Sequence, residues 1–540
     1  MKIRRLPTIT WLAPLALAIA AWVAVAEETP SVLDVDKKII ENMKEHSEIM
    51  HNLEYLCDMI GPRLTGSDRL KRANEWTRQR LVEYGCENAH LESYSFGRSW
   101  TRGPASGRIV EPNGLPLTMA AQGWTPGTDG TVRGELVYVE AKTLEDLEKY
   151  RGKLRGQFII TAPPVDLSRV PDPGERSPAN PPSGPEPRRG DRTPPAAQAP
   201  SQPNPAAPAN QEPGPPGEAQ GPRDFAGFRQ MQQKRVEFYK KEGVLVAIRD
   251  SAKEHSLLNI SGAGARDPKD VAIPSVSVTH ENYAMLWRLL QRKIPVVLEM
   301  NINNTFSEQS VDAYNTVAEI RGYEKPDEVV ILGAHLDSWD LGTGATDNGT
   351  GSMAVLEAAR VLKAVGARPR RTIRFVLFSG EEEGLLGSRA YVKAHKDELS
   401  KISAVLVMDI GTGRIKGISL QGRDDIRPIM AQVLAPLNDM GVRELRLRGQ
   451  GGTDHASFIS EGVPGFAFYQ EMAEYRKTHH SQSDTFDKAL KDDLLQAATV
   501  LAVAAYNIAE LPEMLPRRPA PARAPSPGPV TATNPTEQNR

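Results

Sequence analysis

Three apolar runs, at 328–334, 372–378 and 402–408, are separated by segments of helical periodicity at 351–365 and 385–399. The runs show no polar alternation, so a strand built from any of them must be buried on both faces. Buried strands joined by helices require a sheet covered by helices on both sides. A further apolar run at 464–470 and an Ala- and Leu-rich helical segment at 492–510 extend the pattern. The expected class is α/β, with a mixed, largely parallel β-sheet sandwiched by helices.

Each run leads directly into chemically loaded residues. His335 and Asp337 come after the first, Glu381, Glu382 and Glu383 after the second, and Asp409 after the third. Asp347 sits in a loop with Gly342, Gly344, Gly349 and Gly351, just before a helix. Ligands of open α/β sheets bind beyond the carboxyl ends of the strands. Carboxylates gathered there repel one another unless a cation neutralises them. His479 and His480 lie in a polar loop, an unusual place for core histidines, and offer nitrogen donors from the C-terminal part. A hydrolytic two-metal site needs a bridging carboxylate, terminal ligands on each ion and a base that is not a ligand. Adjacent glutamates can divide the last two tasks.

With 540 residues the chain is too long for one core. The net charge of -2 gives no basic excess, so no nucleic-acid partner is expected. Lys2, Arg4 and Arg5, an apolar stretch at 11–25 and Ala24-Val25-Ala26 read as a cleavable signal peptide over 1–26, which implies export to the periplasm or medium. No later segment is apolar enough to span a membrane. Cys57 ends one expected helix and Cys86 follows a second, which as half of an antiparallel hairpin carries it away, so the two are expected to be unpaired. Residues 36–59 and 68–84 read as helices and 91–100 as extended. The expected organisation is an N-terminal part of the main domain at 36–120, a β-rich insert at 121–297 and a catalytic part at 298–511. Within the insert, 163–223 is Pro-rich with few large apolar residues, and it is expected to be disordered, as is the tail at 512–540.

Several motifs together resemble the M28 metallopeptidase family. They are His335-x-Asp337, Asp347-Asn348-Gly349-x-Gly351, Glu381-Glu382-x-Gly384-Leu385-x-Gly387-Ser388, the strand-end Asp409, and His480-Ser481-x-x-Asp484-Thr485. Gly61-Pro62-Arg63-Leu64-Thr65-Gly66-Ser67 also fits, and the 335–342 stretch is most like the plasma glutamate carboxypeptidase branch. The resemblance implies a zinc-exopeptidase fold, with the insert as a protease-associated domain. It implies two zinc ions per chain, with cobalt or manganese as substitutes, bridged by Asp347. His335 and Asp409 would complete one ion, and Glu382 and His480 the other. Glu381 would be the general base, Glu383 a spacer, and Asp337 would orient His335 from behind. His479, Asp454 and His455 would lie at the substrate pocket. The implied activity is hydrolysis of short peptides, as an aminopeptidase or dipeptidase. The alternatives are a carboxypeptidase, a single-zinc glutaminyl cyclase and a non-catalytic receptor-like relative. The oligomeric state is left open.

Overall fold

The computed structural model describes residues 31–169, 225–262, 266–267 and 269–518. The expected signal peptide and most of the Pro-rich segment lie outside these residues. Among the described residues no helix is long and apolar enough to cross a membrane.

The main sheet has eight strands. In chain order they are β1 (Glu87–Thr101), β9 (Thr305–Ile320), β10 (Lys325–His335), β11 (Arg371–Phe378), β12 (Ile402–Val407), β13 (Ile415–Ser419), β14 (Glu444–Arg446) and β15 (Gly465–Gln470). Their spatial order is β1-β9-β11-β10-β12-β15-β13-β14. The centre is parallel, with β10 between β11 and β12, and β15 beside β12. The hairpin of β1 and β9 closes one side antiparallel. The sheet is thus mixed, as the sequence pattern requires.

Period-two alternation across two buried faces explains why the central runs are largely apolar. Val330, Leu332, Phe375, Leu377, Ala404 and Leu406 point into one core, which the helices Thr350–Ala364 and Lys491–Glu510 cover. Val329, Ile331, Val376, Phe378, Val405 and Val407 point into the other, against Tyr391 and Phe458 of the opposite helices. Both faces are buried, and Arg374, the charged exception in β11, pairs with Glu319 at 2.6 Å.

The second sheet has seven strands: β2 (Ala105–Glu111), β3 (Met119–Ala121), β4 (Val132–Tyr138), β5 (Phe158–Ile160), β6 (Val246–Asp250), β7 (Ser275–Val278) and β8 (Val297–Ile302). It runs β2-β8-β4-β5-β6-β7-β3, with a parallel core from β4 to β7. It begins at Ala105 and ends at Ile302, outside the expected limits of 121–297. The reason is that the entering and leaving strands pair with each other, Ala105 opposite Ile302.

Other boundaries also differ from expectation. The single helix expected over 36–59 is divided into Val32–His46, Ile49–Glu54 and a wide turn at Tyr55–Ile60. Ser47 Oγ accepts from the Ile49 N–H at 3.3 Å, and the Glu48 N–H turns to Glu357 at 3.3 Å, so these groups leave the helical ladder. The helix expected over 385–399 stops at Ala394 and tightens into a 3-10 turn, Lys396–Lys401. The tail is ordered further than expected. Leu515 is buried, its N–H donates to Ser403 Oγ at 3.1 Å, and the Pro512 carbonyl accepts from Lys325 at 2.8 Å. Both cysteines are free, as expected.

Candidate active site

The ends of β10, β11 and β12 meet a loop from the C-terminal part of the chain. At the end of β10, His335 is buried, with Nε2 3.0 Å from Asp409 Oδ1 and 3.5 Å from Asp347 Oδ1. The other oxygen of Asp347, Oδ2, lies 3.5 Å from His480 Nε2. His480 Nε2 is in turn 2.9 Å from Glu382 Oε2. One carboxylate therefore faces two separate groups of donors, His335 with Asp409 and His480 with Glu382. His479 stacks on His480 at 3.7 Å between ring centroids, and its Nε2 is 3.9 Å from Asp347 Oδ2.

The loop that presents Asp347 is held from three directions. Asp484 accepts from the Thr346 N–H at 2.6 Å, the Thr346 hydroxyl at 2.8 Å and the Asp347 N–H at 3.2 Å. Asn348 donates to the Met408 carbonyl at 2.9 Å, and its Oδ1 accepts from the Gly351 N–H at 3.1 Å. A Cβ at Gly351 would lie 2.3 Å from Asn348 Oδ1 and 2.6 Å from the Met408 carbonyl, so only glycine allows this approach. From below, the fully buried Arg63 donates to the carbonyls of Leu336 (2.7 Å), Thr343 (2.8 Å) and Gly344 (2.7 Å). Arg63 and Asp484 both belong to motifs visible in the sequence, yet the sequence alone gives neither a role.

Asp337 stands behind His335, whose Nδ1 is 3.1 Å from the Asp337 carbonyl and 3.5 Å from its Oδ1. The carboxylate of Asp337 does more than face the ring. It accepts the N–H groups of Glu381 and Glu382, each at 3.3 Å, and the Thr65 hydroxyl at 3.1 Å. It therefore fixes the turn that separates the two glutamates. Glu381 and Glu382 both line a cleft of about 180 Å³ with Asp347, Asp409, His479 and His480. The remaining wall is Ile410, the loop of Gln450, Gly451, Gly452 and Thr453, and Tyr475. Tyr475 was not anticipated; it packs edge-on to His479 at 5.3 Å.

Asp454 and His455 are fully buried and are not among the lining residues. His455 Nε2 lies 2.8 Å from the Gln450 carbonyl and 2.9 Å from Gln421 Nε2, which anchors the base of the wall loop. Burial holds the His455 ring well below the usual histidine range, at about 4.

Burial and mutual repulsion dominate the electrostatics. Burial, followed by the charge of Asp409, pushes the Glu381 carboxyl well above the usual carboxylate range. Glu382 is raised by burial and then by Asp347. No lysine or arginine is among the lining residues to offset this charge. Asp347 Oδ2 and Glu382 Oε1 are buried without a hydrogen-bond partner. Unpartnered buried carboxylate oxygens facing imidazole nitrogens form a donor set that fits divalent cations such as zinc.

The pattern of Peptidase family M28 matches residues 315–505, which contain the cleft residues. Carboxypeptidase Q of Mus musculus is 30% identical over 504 residues, covering 91% of this chain and 93% of its own. A peptidase M28 precursor from Shewanella amazonensis has a similar structure, with a TM-score of 0.70, 26% identity and coverage of 91% of this chain and 99% of its own. A zinc aminopeptidase from Bacillus subtilis shares the fold, with a TM-score of 0.56, 18% identity and coverage of 85% and 93%. The likeness to the mouse protein runs through both sheets rather than the catalytic segment alone. With its strand-end carboxylates and full-length relatives, the chain belongs to peptidase family M28 and is a metallopeptidase on the zinc-exopeptidase fold.

Proposed function

We propose that this metallopeptidase is an exported exopeptidase that uses two zinc ions and removes residues from the amino end of short peptides. The carrying observation is Asp347, whose two oxygens face two separate donor groups. Asp347 would bridge the ions, with His335 and Asp409 on one and Glu382 and His480 on the other. Bound there, zinc supplies Lewis acidity to the scissile carbonyl and lowers the pKa of water in the site.

The chain's own residues do the rest. Glu381 accepts the proton of the attacking water and delivers it to the leaving amine. Asp337 keeps Glu381 and Glu382 apart in role by pinning both of their N–H groups. His479, on the cleft wall, donates to the oxygen of the reacting carbonyl. The β-rich insert acts as a protease-associated domain, and the sequence of 1–26 directs export.

Amino-end specificity is supported by the charge of the cleft. Its lining offers, among the described residues, no lysine or arginine to a terminal carboxylate. A second reading, carboxypeptidase action, is favoured by the name of the mouse relative. A panel of free, N-blocked and C-amidated dipeptides separates the two. Loss of cleavage on N-blocking alone supports the amino-end reading, and loss on C-amidation alone supports the other. Zinc titration of the metal-free protein tests the ion count. Two ions per chain are expected, and one ion with cyclisation of N-terminal glutamine would indicate the cyclase alternative.

A further inference from the structure

The two proposed metal positions are held by different parts of the molecule. His335 and Asp409 stand at the ends of β10 and β12, and the ring of His335 is braced by Asp337, all within the main domain. Glu382 and His480 are on turns, and each is reached from the second sheet.

The path to Glu382 runs through Trp339. This side chain is only 4% exposed, and its indole N–H donates to Glu382 Oε2 at 2.9 Å. The far edge of the ring sits against the second sheet's border. A Cβ at Gly123 would meet Trp339 Cζ3 at 2.7 Å, while one at Gly262 would be 3.5 Å from Cη2. Gly123 and Gly262 form a bridge between segments, so their bare backbones make a flat seat for the indole. Trp124 closes it edge-on at 6.1 Å and is itself fixed by its N–H to the Arg98 carbonyl at 3.0 Å. The path to His480 is direct. The Ile260 N–H donates to the His480 carbonyl at 3.2 Å, and Trp339 stands 5.8 Å from the His480 ring.

We propose that the second sheet sets the affinity of the metal position formed by Glu382 and His480, with Trp339 as the positioning residue that transmits it. The idea rests on the two-ion reading above. With the indole N–H holding Oε2, Glu382 keeps one carboxylate orientation and leaves Oε1 free of protein partners. Hydrogen-bond partners behind a metal ligand fix its direction, and their loss costs about ten- to a hundredfold in metal affinity. Among the described residues, the position of His335 and Asp409 has no such link to the second sheet, so the two affinities should be separable.

The test is zinc titration of the metal-free full chain by calorimetry, with the cobalt visible spectrum as a second readout. Trp339→Phe keeps a ring on the glycine seat but removes the N–H. One of the two binding steps is expected to weaken about ten- to a hundredfold, with the other step and the unfolding midpoint of the metal-free protein unchanged. Gly123→Ala pushes the ring and should weaken the same step, and it carries the test if Trp339→Phe fails to fold. Wild-type protein that binds two ions while both variants bind them undiminished overturns this proposal alone. Equal weakening of both steps also overturns it, because that is loss of packing rather than of positioning. Wild-type protein that binds one ion or none overturns the two-ion reading and this proposal with it.

Discussion

The two sheets solve the same packing problem with opposite chemical results. Both have a parallel centre, apolar strands and helices laid across them. In the main sheet the central strands end in His335, the glutamate turn and Asp409; Glu381, Glu382 and Asp409 line one cleft, and His335 lies 3.0 Å from Asp409. In the second sheet the comparable strand ends carry structural contacts. Asp250, which ends β6, is occupied by His280 at 3.0 Å and by the Val165 and Ala252 N–H groups, each at 2.9 Å. None of the residues lining the cleft comes from the second sheet. A parallel sheet provides a place for chemistry at its strand ends, but a site forms only where several strand ends place donors around a common point.

Substitutions in the two regions should therefore fail differently. The largest effect is expected for Asp347→Ala, which removes the shared carboxylate; both metal content by elemental analysis and peptide hydrolysis should be lost. Retention of two ions would break the bridging assignment. Next comes Glu381→Gln, expected to keep both ions and lower kcat by about 10²–10⁴-fold. Glu382→Gln should instead lower metal content. If the two outcomes are exchanged, the roles of the neighbouring glutamates are reversed.

Arg63→Leu tests the support beneath the cleft. It leaves the Leu336 and Thr343 carbonyls without donors, at about 1–3 kcal/mol each, so a loss of at least about 2 kcal/mol is expected in urea unfolding. The smallest effect should come from the junction of the two sheets. Arg102 pairs with Asp340 through bonds of 3.0 and 2.7 Å, both side chains being largely buried. Arg102→Ala is expected to cost about 1–3 kcal/mol, with kcat close to that of the intact protein. A collapse of kcat there would show that the second sheet takes part in the chemistry itself.

Much of the main sheet could be read directly because its strands are buried on both faces, which makes 328–334, 372–378 and 402–408 predominantly apolar. The residues brought to the cleft were legible for a related reason: polar side chains immediately after such runs stand out. β9 was harder to recognise. Its first half is largely exposed and reads as an ordinary polar segment, and only its second half enters the core. Arg63 was also hidden, because its hydrogen bonds go to backbone carbonyls, and carbonyls carry no sequence signature. Trp339 looked like part of a motif, whereas its contacts depend on Gly123 and Gly262, more than seventy residues upstream. The limits of the second sheet depended on the pairing of Ala105 with Ile302, a long-range contact that local texture does not record.

The second sheet leaves the main one on β1 and returns on β9, with Thr101 opposite Thr305 at the point of exit. In engineering terms this is a natural cut point. A short turn joining residues 101 and 305 would keep the hairpin intact and delete everything between. The shortened enzyme would keep the strand ends, but the outer edge of Trp339 would be stripped to water. Such a chain would show whether a one-sheet peptidase can exist in this lineage, or whether the larger body became obligatory once the indole came to rest on its glycines.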